Sequence, residues 1–103
     1  MQNLVSIFLL ILLTLPSVMA ADFQKGVKAA NNGDFVMALK EFRPLAEQGH
    51  ARAQFNLGVM YDNGYGVAED NSQAVYWYRK AAEQGIARAQ FKLGAMYAIG
   101  EAA

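Results

Sequence analysis

Apolar residues along this chain follow two patterns, one continuous and one periodic. Between residues 4 and 15 they form an almost unbroken run, which only Ser6 and Thr14 interrupt. From residue 23 onward they return every three or four positions, the spacing that places them on one face of an α-helix. The periodic part predicts five helices, at about Phe23–Asn31, Phe35–Gln48, Ala51–Asp62, Asn71–Gln84 and Ala87–Ala98.

Polar residues and glycines mark where these helices begin and end. Asp34 and Asp70 each follow a loop and precede an apolar-periodic run, as helix-capping residues do. Gln73 comes three residues after Asp70, so we predict a capping box in which the two residues satisfy each other's backbone N–H groups. Gly49 and Gly85 stand where a helix requires a left-handed residue after its last turn.

The apolar run near the start predicts a secretory signal. It is too short to cross a bilayer core of about 30 Å, which takes about 20 residues. Pro16 follows it, and Val18, Met19 and Ala20 supply the small and medium residues of a cleavage site. We predict cleavage after Ala20 and export of residues 21–103 to the periplasm or the medium. An uncleaved membrane anchor is the alternative.

An internal repeat sets the class of fold. The segment Ala46–Tyr61 returns 36 positions later as Ala82–Tyr97, with thirteen of sixteen residues identical. A period in this range is typical of solenoids, whose stacked units are each too small to bury an apolar face alone. We therefore predict one all-α domain over residues 21–103. It is an α/α superhelical solenoid of antiparallel helix pairs with about two and a half repeats, at 22–49, 50–85 and, incomplete, 86–103.

The repeat resembles a known family. The matching positions are Ala53, Gln54, Leu57, Gly58, Met60, Tyr61, Asn63 to Val67, Asp70, Ala74 and Trp77 to Gly85. They are similar to the Sel1-like repeat, a relative of the tetratricopeptide repeat, and the resemblance covers nearly all of residues 35–100. It implies a right-handed superhelix and a role in protein–protein association, often in the bacterial envelope.

Helical periodicity also assigns the packing faces. At 100° per residue, one broad side of the third helix is expected to face its neighbours, and Gly58 lets the partner helix approach closely. We expect Trp77 and Tyr65 to pack beneath neighbouring loops. The core residues predicted on the third helix are Ala51, Ala53, Gln54, Leu57, Gly58, Met60 and Tyr61, and those on the fourth are Ala74, Val75, Tyr78, Ala81 and Ala82.

The opposite side of the first helix of each pair carries apolar pairs that recur with the repeat. In the family this side lines the concave groove, so the resemblance implies a ladder of three phenylalanines that grips a peptide. The alternative is that each phenylalanine packs against the helix of the next repeat. The candidate groove residues are Phe23, Val27, Arg52, Phe55, Asn56, Val59, Arg88, Phe91 and Lys92.

The last predicted helix has no partner helix after it within these 103 residues. We expect it to leave an apolar strip uncovered, and such strips are typical of interfaces. The strip is predicted to consist of Ala89, Leu93, Met96 and Tyr97, and to support self-association or docking onto a partner. The alternative is that the chain is a fragment of a longer array.

Composition narrows the chemistry. Nine Lys and Arg balance nine Asp and Glu, which argues against nucleic acid as a partner. With no cysteine and one histidine we expect no zinc site, no cofactor and no catalytic residue. The histidine, His50, is replaced by Ile86 in the next copy, so we interpret it as a surface turn residue. The sequence thus predicts an exported module that binds a protein or peptide and does not insert into a membrane after cleavage. An envelope hydrolase is the alternative.

Overall fold

The structure, a computed structural model, describes the backbone of residues 20–102 and the side chains of residues 20–100. Residues 1–19, which make up all but the last residue of the predicted signal segment, lie outside the described residues. The described residues form five helices and no strand: α1 (Phe23–Asn31), α2 (Phe35–Glu47), α3 (Ala51–Asn63), α4 (Asn71–Glu83) and α5 (Ala87–Ala102). The all-helical repeat architecture predicted from the sequence is confirmed, and α5 runs four residues further than expected.

Side-chain caps explain why the helices start where they do. The carboxylates of Asp22, Asp34 and Asp70 each accept a hydrogen bond of 3.1 Å from the backbone N–H three residues later. Such a bond satisfies one of the N–H groups that the first turn of a helix leaves without an intrahelical partner. At the other ends, Gly49 and Gly85 have φ angles of 97° and 90°. Both predicted caps and both left-handed glycines are therefore confirmed.

The predicted capping box is wrong in one of its halves. The backbone N–H of Asp70 donates to the carbonyl of Tyr61 at 2.9 Å, so the Gln73 side chain does not receive it. This bond ties the end of the long loop back to the last turn of α3. The end of this loop is therefore attached by a backbone hydrogen bond to α3, the helix before it, and not by the Gln73 side chain to α4, the helix after it.

Each helix packs against the next one along the chain, and a glycine permits the closest approach. A Cβ atom placed on Gly58 would lie 2.6 Å from the Tyr78 ring, nearer than side chains tolerate. Gly26 has the same relation to the Phe42 ring, also at 2.6 Å. Each of the two complete helix pairs therefore contains the same contact, in which an aromatic ring of its second helix lies on a glycine of its first helix.

The core consists of two neighbouring clusters rather than one. The first lies among α1, α2 and α3 and also contains Trp77, while the second joins α3, α4 and α5. The core predictions for Ala53, Leu57, Met60, Ala74, Tyr78 and Ala81 are confirmed, since each is at most 3% exposed. Trp77 is buried within the first cluster itself, with an indole N–H that meets no acceptor.

Two glutamines connect successive turns of the solenoid. The Gln84 side chain donates to the carbonyl of Gly49 at 2.9 Å and to the Gln54 side chain at 2.8 Å. Gln54 in turn donates to the Ala46 carbonyl at 3.1 Å. The repeated AEQG turn therefore stacks one repeat on the next as well as ending a helix.

Candidate functional site

A groove follows one side of the solenoid, where α1, α3 and α5 contribute their side chains. It contains two adjoining cavities of about 220 and 360 Å³. Asn56 lines both of them. We call them the apolar cavity and the arginine cavity. The first is lined by Val27, Ala30, Asn31, Phe35, Phe42, Asn56, Val59, Met60 and Tyr65, and the second by Phe23, Arg52, Phe55, Asn56, Ile86 and Arg88.

Aromatic stacking shapes the far end of the apolar cavity. The rings of Phe35 and Tyr65 lie 4.5 Å apart and nearly parallel, at 10°. Tyr65 belongs to the loop after α3, and Gly66 lets that loop run close to the start of α2, because a Cβ atom there would meet the Phe35 carbonyl at 2.9 Å. The loop thus closes the cavity at one end and places an aromatic ring on its rim.

The arginine cavity has a different electrostatic character. Arg52 and Arg88 are exposed and occupy equivalent positions of successive repeats, 36 residues apart. The Arg88 Cζ atom lies 5.0 Å from the centroid of the Phe55 ring, within range of a cation–π interaction. No acidic residue lines this cavity. The cavity is therefore positively charged although the whole chain is formally neutral.

Seven of the nine candidate groove residues line these cavities. Val27 and Val59 lie in the apolar cavity, four lie in the arginine cavity, and Asn56 belongs to both. Phe91 and Lys92 line neither of them. The sequence did not single out Asn31, Phe35 or Ile86 as groove residues, nor Tyr65 as more than a packing residue, because loop conformation brings these residues to the groove.

The three phenylalanines of the predicted ladder have different environments, and only Phe23 and Phe55 line a cavity of the groove. Phe55 is only 7% exposed and packs against the Tyr78 ring at 5.7 Å. Phe23 is half-buried, stacked on the His50 ring at 4.7 Å and tilted against Phe42. Phe91 is 76% exposed. The alternative was packing against the helix of the next repeat, whereas Phe55 meets Tyr78 in the second helix of its own pair as well as Arg88 of the next repeat.

His50 is more than a surface turn residue. Its Nδ1 atom accepts a hydrogen bond of 3.1 Å from the backbone N–H of Ala53, so the imidazole caps the start of α3. The ring is half-buried beneath Phe23. Ile86, its counterpart in the next repeat, has no side-chain acceptor and lines the arginine cavity instead.

The predicted uncovered strip on α5 is wrong in most of its residues. Ala89 is fully buried, and Leu93 and Met96 pack against the second core cluster. They occupy the side of α5 that meets α4, as Ala53, Leu57 and Met60 meet the helix before them. Of the four residues only Tyr97 is exposed, at 44%. The large apolar side chains that α5 exposes are instead those of Phe91, Tyr97 and Ile99, and Gly94 is exposed as well.

Two features are absent from the part of the chain that the structure describes. Within it, no three His, Cys, Asp or Glu side chains are grouped closely enough to hold a metal ion. None of its helices combines the length and the apolar character needed to cross a bilayer.

Comparison with known proteins identifies the repeat. The family model described as Sel1 repeat matches residues 51–86 and 87–102. The chain is 36% identical over 50 residues to "DAP3-binding cell death enhancer 1" from Rattus norvegicus, a match that covers 48% of this chain and 10% of that protein. It is 38% identical over 52 residues to an "Exopolysaccharide production negative regulator" from Rhizobium leguminosarum bv. viciae, covering 50% of this chain and 20% of that protein.

These matches fix the family and leave the whole-protein roles open. The chain spans only a tenth to a fifth of the length of these relatives. Repeats of this family generally mediate protein–protein interaction and are non-enzymatic scaffolds. The matched segments coincide with α3, α4 and α5 and include the contact of Gly58 with Tyr78 and the AEQG turn at residues 82–85. The chain therefore belongs to the Sel1 repeat family.

Proposed function

We propose that this protein binds a protein or peptide partner in the groove formed by the apolar and arginine cavities. The single observation that carries the proposal is that the two cavities share a lining residue, Asn56. Together they offer an apolar recess beside polar and charged groups. Binding sites typically combine an apolar lining with a few placed polar groups in this way. The printed name of one relative also describes binding to another protein.

The shape of the groove favours an extended segment. The arginine cavity is lined by the first residues of α1, α3 and α5, and the apolar cavity by later residues of α1 and α3, so an occupant of both cavities runs along α1 and α3. An extended strand advances about 3.3 Å per residue and presents alternate side chains to each side. A short peptide segment can therefore fill both cavities at once.

The test uses peptides selected on the purified protein from a random library. Their affinities are then measured by fluorescence anisotropy for the parent and two variants. Asn56→Phe places a bulky ring where the cavities meet and is expected to weaken binding at least tenfold. Gln24→Phe adds the same ring at an exposed position of α1 outside both cavities and is expected to leave binding unchanged. Equal affinity of both variants for every selected peptide would contradict the proposal.

Export and self-association belong to the same proposal. The short apolar run before Pro16 supports a signal segment that is removed before the protein works in the periplasm or the medium.

The outward side of α5 supports pairing with a second copy of the chain. Phe91 and Ile99 there are 76% and 70% exposed, and Gly94, which lies between them in the sequence, has no other group within 4 Å of its Cβ position. Small residues between large apolar ones allow two helices to approach closely.

A further inference from the structure

The arginine cavity indicates what chemistry its occupant must have. Two guanidinium groups line it, none of its six lining residues is acidic, and like charges in one cavity repel each other. Among residues 20–100 the one ion pair joins Lys25 and Glu41, so neither Arg52 nor Arg88 has a carboxylate within 4.0 Å there. An anionic group placed between them would convert this repulsion into attraction.

Arg88 is positioned for such a group. Its guanidinium lies over the ring of Phe55, which is fixed in the second core cluster by Tyr78. Stacking on an aromatic ring occupies the face of the guanidinium and leaves its N–H edge available. That planar edge matches the two oxygens of a carboxylate. The ring therefore holds Arg88 in place without using the donors that would bind a ligand.

The adjoining cavity supplies the second half of the recognition. Asn56 lines both cavities, so its amide lies where an occupant passes from charged to apolar surroundings. Beyond it, Val27, Val59 and Met60 provide an apolar lining. At about 3.3 Å per extended residue, the groups that occupy the two cavities can belong to neighbouring positions of one peptide.

We propose that the arginine cavity binds a carboxylate of the partner peptide, and that the same peptide places an apolar side chain in the apolar cavity. Arg52 and Arg88 bind the carboxylate oxygens, and the Asn56 amide lies beside them. This inference rests on the proposed function of the groove and specifies the class of its ligand. The carboxylate belongs either to an acidic side chain or to the C-terminus of the peptide.

The test selects peptides with a free C-terminus on the full protein and reads their sequences. We expect enrichment of an acidic residue, or of binding that requires the free terminus, a few positions from an apolar residue. Conversion of the acidic side chain to its amide, or of the terminal acid to an amide, tells the two sources apart. Whichever carboxylate binds the arginines, its amide should bind about tenfold more weakly, since hydrogen bonds to charged groups contribute at least that much.

Variants of the protein locate the effect. Arg52→Gln combined with Arg88→Gln is expected to weaken binding of the acidic peptide tenfold or more and to leave the binding of its amide nearly unchanged. The matched control is Arg79→Gln combined with Lys80→Gln, which removes the same charge from α4, where these cations lie near the rings of Tyr97 and Tyr76. Arg52→Gln is also measured by itself, because it removes one positive charge and keeps the contact between Arg88 and the Phe55 ring.

Each outcome decides between the two proposals. If selected peptides are blocked by Asn56→Phe but bind the arginine double variant as tightly as the parent, the carboxylate inference is overturned and the groove proposal stands. If Asn56→Phe blocks none of them, both fall. Rising salt should bring the affinity of the parent toward that of the double variant, because exposed charges are screened. Identical salt dependence of the two proteins would also overturn the inference.

Discussion

The ring of Tyr78 lies directly on Gly58, 2.6 Å from where a Cβ atom would stand. Phe42 and Gly26 repeat this contact in the preceding helix pair. At Gly94, which is equivalent to Gly58 in the last repeat, no other group lies within 4 Å. One position of the repeat is thus filled twice by an aromatic ring and left open at α5.

This difference predicts opposite effects of one substitution. Gly58→Ala inserts a methyl group into a closed contact, and overpacking of this kind typically costs about 1–3 kcal/mol. Gly94→Ala meets nothing and removes a glycine from a helix interior, which is expected to stabilise by roughly 0.5–1 kcal/mol. Thermal melts of both variants check this. A melting temperature of Gly58→Ala at or above the parent value would contradict the contact.

Phe55 and Phe91 form a second matched pair. They are equivalent by sequence, but Phe55 is 7% exposed and Phe91 is 76% exposed. Phe55→Ala is expected to destabilise by about 3–5 kcal/mol, because it leaves a cavity between α3 and α4. Phe91→Ala should change the free energy of unfolding by less than about 0.5 kcal/mol, as exposed substitutions do. Chemical denaturation measures both, and similar losses for the two variants would show that their environments do not differ.

The Tyr78 phenol makes the free energy of unfolding depend on pH in the alkaline range. Burial raises the pKa of its phenol above the ordinary value, and the hydrogen bond to Asp62 at 2.9 Å and the charge of that carboxylate act in the same direction. The folded protein therefore holds this proton more tightly than the unfolded chain does. The resulting stabilisation of the folded protein is complete below a pH of about 10, the pKa of tyrosine in an unfolded chain, and it is lost as the pH rises beyond that value.

The variant Tyr78→Phe isolates this effect. A phenyl ring fits the site, as Phe42 shows in the preceding pair. We expect the parent to be the more stable protein at neutral pH and the difference to shrink above pH of about 10. Tyr76→Phe, at a 49% exposed position, serves as the control and should leave the pH profile unchanged. Parallel profiles for the parent and Tyr78→Phe would contradict the prediction.

Self-association through α5 is tested by a charge on its outward side. Phe91→Glu should dissociate any dimer without lowering the melting temperature, since Phe91 contributes little to the core. Val36→Glu is the matched control, because Val36 on α2 is also 76% exposed. Light scattering after size-exclusion chromatography gives the mass. A parent protein that stays monomeric at tens of micromolar would rule out this part of the proposal.

Export predicts a defined N-terminus. If the apolar run before Pro16 is a signal, protein recovered from outside the cytoplasm should begin at Ala21. Intact mass spectrometry of that protein measures this directly. Recovery of the full-length chain in the membrane fraction would instead support an uncleaved anchor.

The helices and their order could be predicted from the amino-acid sequence. Caps such as Asp34 and Asp70, and left-handed glycines such as Gly49, act within a few residues of themselves, so their effects are readable without tertiary contacts. The repeat also indicated the close approach at Gly58, because a glycine inside a helix leaves room for a neighbouring group, although the equivalent Gly94 meets none.

Which helix faces are covered and which side chains meet depends on contacts between residues far apart in the sequence. Phe55 and Phe91 are the same residue in the same local sequence, and the difference in their exposure arises from the helix that follows one and not the other in this structure. Arg52 and Arg88 share a cavity because two repeats stack, with Gln84 reaching back to Gly49 across that stack. Such contacts depend on the rotation between successive repeats, which is set by the packing of many side chains and not by any local pattern.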